Sequence, residues 1–579
     1  MVLQTVDIVI IAGFMALTLI VGLIVSRRAS RDTDSFFLGS RHMPWWLLGL
    51  SMVATTFSTD TPNLVTDIVR TEGVSGNWSW WSFLLTGMLT TFVFARLWRR
   101  LGITTDIEFY ELRYSGRTAS FLRGFRAIYL GVFYNIMIMG LVTLAAIKIG
   151  GVMVGVSPAT FVLGAGLVTV IFSAASGFVG VVITDVILFV IAIAGAFIAA
   201  WFALDHEAVG GLSGLIANDA VKTRIDVFPD FHDSSSWIPL LLVPLAVQWW
   251  AAWYPGSEPG GGGYVAQRML AARDERHAVG AVAFFNLAHY ALRPWPWIIV
   301  ALASLIVFPD LDSLRTALPH VDPQIIGNDL AYPAMLSLLP PGILGFVVAS
   351  LVSAYISTVS SHLNWGASYV VNDVYVRFIR KDSGPREQVL VARIATVILM
   401  AFAALIALSL ETAFQAFRLV LSIGAGTGLL FILRWFWRRI NAWSELAAMV
   451  FSLLASVGME IWGPESLRPW EVFLCSVSLT TLGWVTVTLL TKPESDAVLD
   501  SFNQAIRPTG DDGLKFREEI RSGILMAIAV AILIYSLLFG TGAILFGEFN
   551  QAGVWLLLAV VSGGAAKAVM PKFLGQTEP

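Results

Sequence analysis

Apolar stretches of about twenty residues, long enough to cross a bilayer as a helix, recur along the whole chain with short polar segments between them. The pattern predicts fifteen spans, at 7–25, 44–69, 78–98, 125–149, 158–176, 180–204, 237–255, 278–307, 341–375, 388–408, 411–433, 441–462, 470–491, 522–545 and 551–570. The last is short and glycine-rich, and without it the count is fourteen. Strand-like alternation is not the organising period, so the expectation is an all-α polytopic membrane protein.

Two spans are interrupted. The second carries a polar centre, ATTFSTDTPN, ending in Pro62–Asn63, and the seventh breaks at Tyr254–Pro255–Gly256 with four glycines at 260–263. Proline removes a backbone donor and disfavours helix at the residue before it. The two breaks are five spans apart, so they hold matching places in two five-helix units of opposite orientation. Paired breaks of this kind point to a binding site, since unwound backbone at membrane depth needs a cavity or a protein lining. Alone, each is also a simple kink.

A third anomaly lies in Gly342–Val371, a run without Asp, Glu, Lys or Arg whose centre holds Ser353, Tyr355, Ser357, Thr358, Ser360 and Ser361. At three- and four-residue spacing, Ala354, Ser357, Thr358 and Ser361 share one helix face, bordered by Ser360. Hydroxyls in membrane helices usually join helix to helix. Five on adjacent turns, beside broken helices that free backbone carbonyls, suit an oxygen-lined ion site. Asp185 is a carboxylate within a span, which is costly there and marks a functional candidate unless it sits at the aqueous mouth.

Composition agrees with the pattern: 56% of the 579 residues are hydrophobic and only 13% charged. The net charge of −3 says little about partners, but the distribution orients the chain. Of 37 Lys and Arg, 29 fall in the stretches placed in the cytoplasm when the N-terminus is outside, as the positive-inside rule requires; with fifteen spans the C-terminus is then cytoplasmic. The first span is followed, not preceded, by Arg27, Arg28 and Arg31, the reverse of a cleaved signal. A single cysteine, Cys475, excludes an intrachain disulfide or a cysteine metal cluster. No nucleotide loop, zinc spacing or nuclease motif is present. The seven histidines form no catalytic spacing, so no enzyme is expected, and no signalling domain accompanies the spans as a membrane sensor would need.

Several motifs in order resemble the sodium:solute symporter family, which includes sodium-coupled sugar, proline and sialic acid transporters. ISTVSSHLN resembles its sodium-site helix; SAASGFVGVVITDVILF (173–189), its fifth core helix with a Thr-Asp pair; YVAQRMLAARDERHA (264–278), the QR loop after the broken sixth core helix. FWRRINAW (436–443) is similar to the end of the tenth core helix, and FYELRYSGR (109–117) to a cytoplasmic loop. The resemblance covers positions 1 to about 450. It implies a LeuT fold, a 5+5 inverted repeat with extra N- and C-terminal helices: 1–43 an N-terminal helix and cytoplasmic link, 44–204 the first repeat, 205–236 an extracellular loop, 237–440 the second repeat, and 441–579 extra helices with the cytoplasmic connector 492–521.

The resemblance also implies sodium ions as coupling ions. A first site takes the carbonyls of Ala54, Phe57 and Ala354 and the hydroxyls of Ser357 and Thr358. A second, found in some members, takes Asp185, Ser357, Ser360 and Ser361. The family's inner-gate tyrosine falls on Tyr264. The sugar-contacting Asn before it is absent, His289 stands where sugar carriers have Lys, and Thr56 and Asp60 stand for their Asn and Glu, which counts against glucose or galactose. Candidate solute contacts are Thr56, Asp60, Trp80, Trp81, Gln248, Trp253, Glu258, Tyr264, Asn286, His289, Gln415 and Arg418. Aromatic faces with hydrogen-bonding groups suit a sugar or polyol; Arg293 and Arg418 suit an organic anion or amino acid, unless they are paired structural charges. The implied partners are a small-molecule solute, sodium and the lipid bilayer of the cell's plasma (inner) membrane, with no nucleic acid. A monomer is compatible with the sequence, which fixes no oligomeric state.

Overall fold

The computed structural model describes residues 3–29, 33–56, 58–153, 157–251, 258–409, 426–464, 466–508 and 513–575. Helices are the only extended elements among them, as a chain that must pair every backbone group inside a bilayer requires. Leaving aside short connecting helices, they are in order α1 (Thr5–Ala29), α2 (Trp45–Thr56), α3 (Asp60–Glu72), α4 (Val74–Leu101), α5 (Gly116–Met153), α6 (Pro158–Asp205), α7 (234–251), α8 (Gly263–Ala271), α9 (Glu275–Val307), α10 (Ile343–Ile379), α11 (Pro385–Ser409), α12 (Gly428–Leu433), α13 (Ala442–Trp462), α14 (Pro469–Leu490), α15 (Leu514–Leu545) and α16 (Phe549–Phe573).

Among the described residues, eleven helices are long and apolar enough to cross a membrane. One of them, α6, contains both 158–176 and 180–204. It bends at Gly177, whose φ of 57° lies where a side chain is strained and glycine is not. Of the remaining expected spans, 44–69 is interrupted between Thr56 and Asp60, the break expected at Tyr254–Pro255–Gly256 lies outside the described residues, and 411–433 lies mostly outside them, so a count of fifteen is not established. The glycine-rich last span forms a 25-residue helix after all.

The breaks position the centre of the molecule. α2 ends at Thr56 and α3 begins at Asp60. α2 and α8 lie side by side at one end, where Met43 N–H donates to Ala271 O and Arg273 N–H to Met43 O. α2 also packs on α6, α9 and α10. The outer helices attach to different parts. α1 packs on α6 and α10, and its buried Asp7 accepts the Gly342 and Gly345 N–H groups at 2.7 and 2.8 Å, capping α10. α15 packs on α4 and α9. Gly523 lets it approach closely, since a Cβ there would lie 2.3 Å from Phe92 O, and Trp295 and Tyr535 join the helices through Leu538 O and Trp81 O.

The loop after α4 is a polar hub. Thr105 and Arg123 bind Asp373 on α10 at 2.6 and 2.7 Å, and Asp106 accepts from Tyr369 and from the first N–H of α8. Tyr114 donates to Glu445 on α13 at 2.9 Å. The connector 492–521 forms a short helix, Asp496–Ile506, whose Phe502 packs on Phe109 and Trp435. At Glu111 burial opposes ionisation, but hydrogen bonds from Arg377, Ser120 and Arg123 outweigh it and hold the carboxyl at about 2. Its folded value is depressed, so its contribution is present above the ordinary glutamate range and is lost only as pH falls through about 2. Glu111→Gln is expected to destabilise the protein by about 1–2 kcal/mol, with the gap to wild type persisting at pH 4. Thermal unfolding in detergent at pH 7 and pH 4 checks this; a gap that closes by pH 4 contradicts the assignment.

Candidate functional site

The end of α2, the middle of α10, the second arm of α6 and helix α8 meet in a buried polar cluster. A helix end leaves its last four carbonyls without intrahelical partners. Two of those on α2 are taken by side chains from afar: Val53 O by Arg293 at 2.9 Å, and Thr55 O by the Thr358 hydroxyl at 2.8 Å. Ala54, between them in sequence, and Ala354 opposite on α10 are both 2% exposed. The structure thus sets Thr358 against the α2 end beside Ala54, with Ala354 and Ser357 buried on the same helix as Thr358; Phe57 lies outside the described residues.

Asp185 is buried beside this group. Its two oxygens accept from Ser51 at 2.5 Å and from Ser357 at 2.6 Å. Ser361 pairs with Thr55 at 2.8 Å and accepts from Arg268 at 2.6 Å, while Ser360 donates to the Ser357 carbonyl at 3.1 Å. Ser51, Thr55 and Arg268 are members that sequence reasoning did not assign. The i, i+4 spacing of Ser51 and Thr55 on α2 was a usable signal, and Arg268 stands in the quoted QR motif.

The candidate solute contacts fall into separate places. Thr56 and Tyr264 share a hydrogen bond at 2.9 Å across the two broken helices. Trp80 stacks on Tyr290 with ring centres 5.9 Å apart and meets His289 edge-on at 5.7 Å. His289 also contacts the Arg293 guanidinium, which donates to Val53 O and lies over Trp297. Asp60 opens α3 and interacts electrostatically with Arg293. Asn286 fits against Gly87, where a Cβ would lie 1.8 Å from its oxygen. Gln248 donates to Ser79 O at 2.8 Å.

Of the other two, Trp81 meets Trp80 edge-on with ring centres 6.0 Å apart, and Glu258 sits apart. Trp81 packs on Trp78 and on Phe539 of α15. Glu258 lines a small cavity with Asp106, Tyr110, Arg126 and Arg434, between the α8 end and the polar hub. Trp253, Gln415 and Arg418 lie outside the described residues.

A broken helix whose freed carbonyls meet a helix face of hydroxyls, with a buried carboxylate beside them, is the arrangement of a secondary transporter of LeuT fold. The chain belongs to the sodium:solute symporter family, whose profile matches residues 36–451. It is a multi-pass membrane protein that carries a small-molecule solute with sodium, as members of that family do. It is 28% identical over 470 residues to a sodium/glucose cotransporter of Vibrio parahaemolyticus, covering 78% of this chain and 84% of that one. It is 26% identical over 475 residues to a sodium/mannose cotransporter of Bos taurus, covering 76% of each. It is 24% identical over 517 residues to a sodium/sialic acid symporter of Proteus mirabilis, covering 85% and 97%. Its fold is that of a solved Na+-coupled sialic acid symporter in a substrate-bound outward-open state, with a TM-score of 0.67 at 21% identity over 85% of this chain and 99% of that one.

Proposed function

We propose that this protein imports a sugar or polyol with sodium by alternating access across the plasma membrane, N-terminus outside and C-terminus in the cytoplasm. The observation that carries the solute class is the aromatic group of Trp80, His289 and Tyr290 beside Asp60 and the Thr56–Tyr264 pair. Aromatic faces cover the apolar faces of a sugar ring while short polar groups take its hydroxyls. An organic anion or amino acid is the second reading, favoured by Arg293. Against it, the Arg293 guanidinium is engaged by Val53 O, which makes it a cap for α2.

The first sodium ion is bound by the carbonyls of Ala54, Phe57 and Ala354 with Ser357 and Thr358. This is supported by the direct bond between Thr358 and the α2 end. The second is bound by Asp185, Ser357, Ser360 and Ser361, supported by the Asp185–Ser357 contact. The two five-helix repeats 44–204 and 237–440 supply one broken helix each.

Purified protein in liposomes, offered labelled sugars, polyols and sialic acid with an inward sodium gradient, tests this reading. Replacing sodium by potassium or choline is expected to cut uptake at least about tenfold, and sodium dependence is expected to be sigmoidal, as for about two ions per solute. Equal rates without sodium overturn the coupling, and uptake of sialic acid in preference to sugars overturns the solute class.

A further inference from the structure

Arg268 is 1% exposed, on α8 one turn beyond Tyr264. Its guanidinium reaches Ser361 at 2.6 Å, Ser51 at 3.1 Å and Thr55 at 3.4 Å, and stands 3.9 Å from the Asp185 carboxylate. Its other nitrogen donates to Gln267 at 3.1 Å, and Phe178 lies beneath it. Among the described residues, Asp185 is the one carboxylate with which Arg268 forms an ion pair. Two of the groups assigned to the second sodium ion, Asp185 and Ser361, therefore already face a cation that belongs to the chain.

In a buried, low-dielectric setting two positive charges within a few ångströms repel strongly, and one carboxylate cannot neutralise both. A buried carboxylate with neither is costly. Each cation therefore excludes the other, and each relieves Asp185 in the other's absence. We propose that Arg268 is an internal counter-cation that alternates with sodium at Asp185. The guanidinium neutralises the carboxylate in the unloaded carrier, and sodium entering that site displaces it.

Arg268 ties α8 to α2 through Ser51 and Thr55, to α10 through Ser361 and to α6 through Asp185. Its seating after sodium leaves gives the unloaded carrier a neutral, closed interior in which to return. The proposal rests on the second-site reading above.

The test compares two transport modes in liposomes with direct binding of radioactive sodium to the purified protein. Net uptake needs the unloaded return; counterflow, with sodium and solute on both sides, does not. Arg268→Gln is expected to bind sodium at least about fivefold more tightly and to lose net uptake by about tenfold or more, a loss at least about fivefold greater than its loss of counterflow. Asp185→Asn combined with Arg268→Gln removes the charge that needs neutralising and is expected to restore part of the net uptake. The proposal is overturned if Arg268→Gln leaves sodium affinity unchanged or weakens it, or if net uptake and counterflow fall by the same factor, as for a structural brace. If Asp185→Asn leaves the sodium stoichiometry of transport unchanged, the second site itself is absent and the proposal falls with it.

Discussion

Ser357→Ala is expected to raise the sodium concentration for half-maximal uptake roughly 5- to 150-fold, the equivalent of about 1–3 kcal/mol for one oxygen taken from a buried polar group. Ser357 bonds Asp185 directly and lies between the two proposed ions, so no neighbouring hydroxyl can replace it. Thr358 and Ser360 already count among the proposed ligands with their own oxygens, each donating its proton elsewhere, to Thr55 O and to the Ser357 carbonyl. The loss is an affinity loss, so high sodium should recover much of the rate. Uptake measured over a wide sodium range in liposomes decides it. A variant whose maximal rate falls while its half-saturating sodium stays fixed would show that Ser357 braces the helix and binds no ion.

Glu445→Ala is expected to destabilise the protein by about 3–5 kcal/mol, the cost of removing one partner from a buried ion pair and leaving the others without it. Glu445 is fully buried in the first turn of α13 and accepts from Tyr114 at 2.9 Å, Arg126 at 3.3 Å and Arg434 at 3.5 Å. Two guanidiniums and a phenol from three segments converge on that one carboxylate. Glu445→Gln keeps an acceptor for Tyr114 but not the charge, and should fall between. Denaturation in detergent measures both; a loss under about 1 kcal/mol for the alanine variant would mean that solvent or a rearranged neighbour replaces the carboxylate.

Much of the architecture was legible because the bilayer writes it in long apolar runs, and the site was legible where polarity violated those runs. ATTFSTDTPN, the hydroxyls of α10 and Asp185 each stand out against an apolar background. Other features carried no such contrast. Ser51 looked like an ordinary helix hydroxyl, because nothing local says that α6 and α8 lie opposite it. Arg268 was visible as a motif but not as a neighbour of Asp185, a relation between residues 83 positions apart. Trp81 follows Trp78 and Trp80 in a run where any indole can face inward; only the placement of α15 decides that it packs on Phe539. Glu258 was counted with the solute contacts because it lies near a break. The glycines after it carry the chain to the α8 end, where Asp106, Arg126 and Arg434 surround it.

The cap that Asp7 places on α10 has a consequence for the order in which the protein can be completed. Asp7 leaves the ribosome long before its partner, since the Gly342 N–H it receives is made 335 residues later. At ordinary synthesis rates of about 5–20 residues per second, that delay is roughly 17–70 s. Through this interval the Asp7 carboxylate has the Gln4 N–H on one oxygen but not yet the Gly342 and Gly345 donors of the other, and α10 begins with unsatisfied N–H groups until the two meet. A segment made early is therefore late to reach its final bonds, and the helix that carries the hydroxyl cluster is finished by a residue more than 330 positions before it.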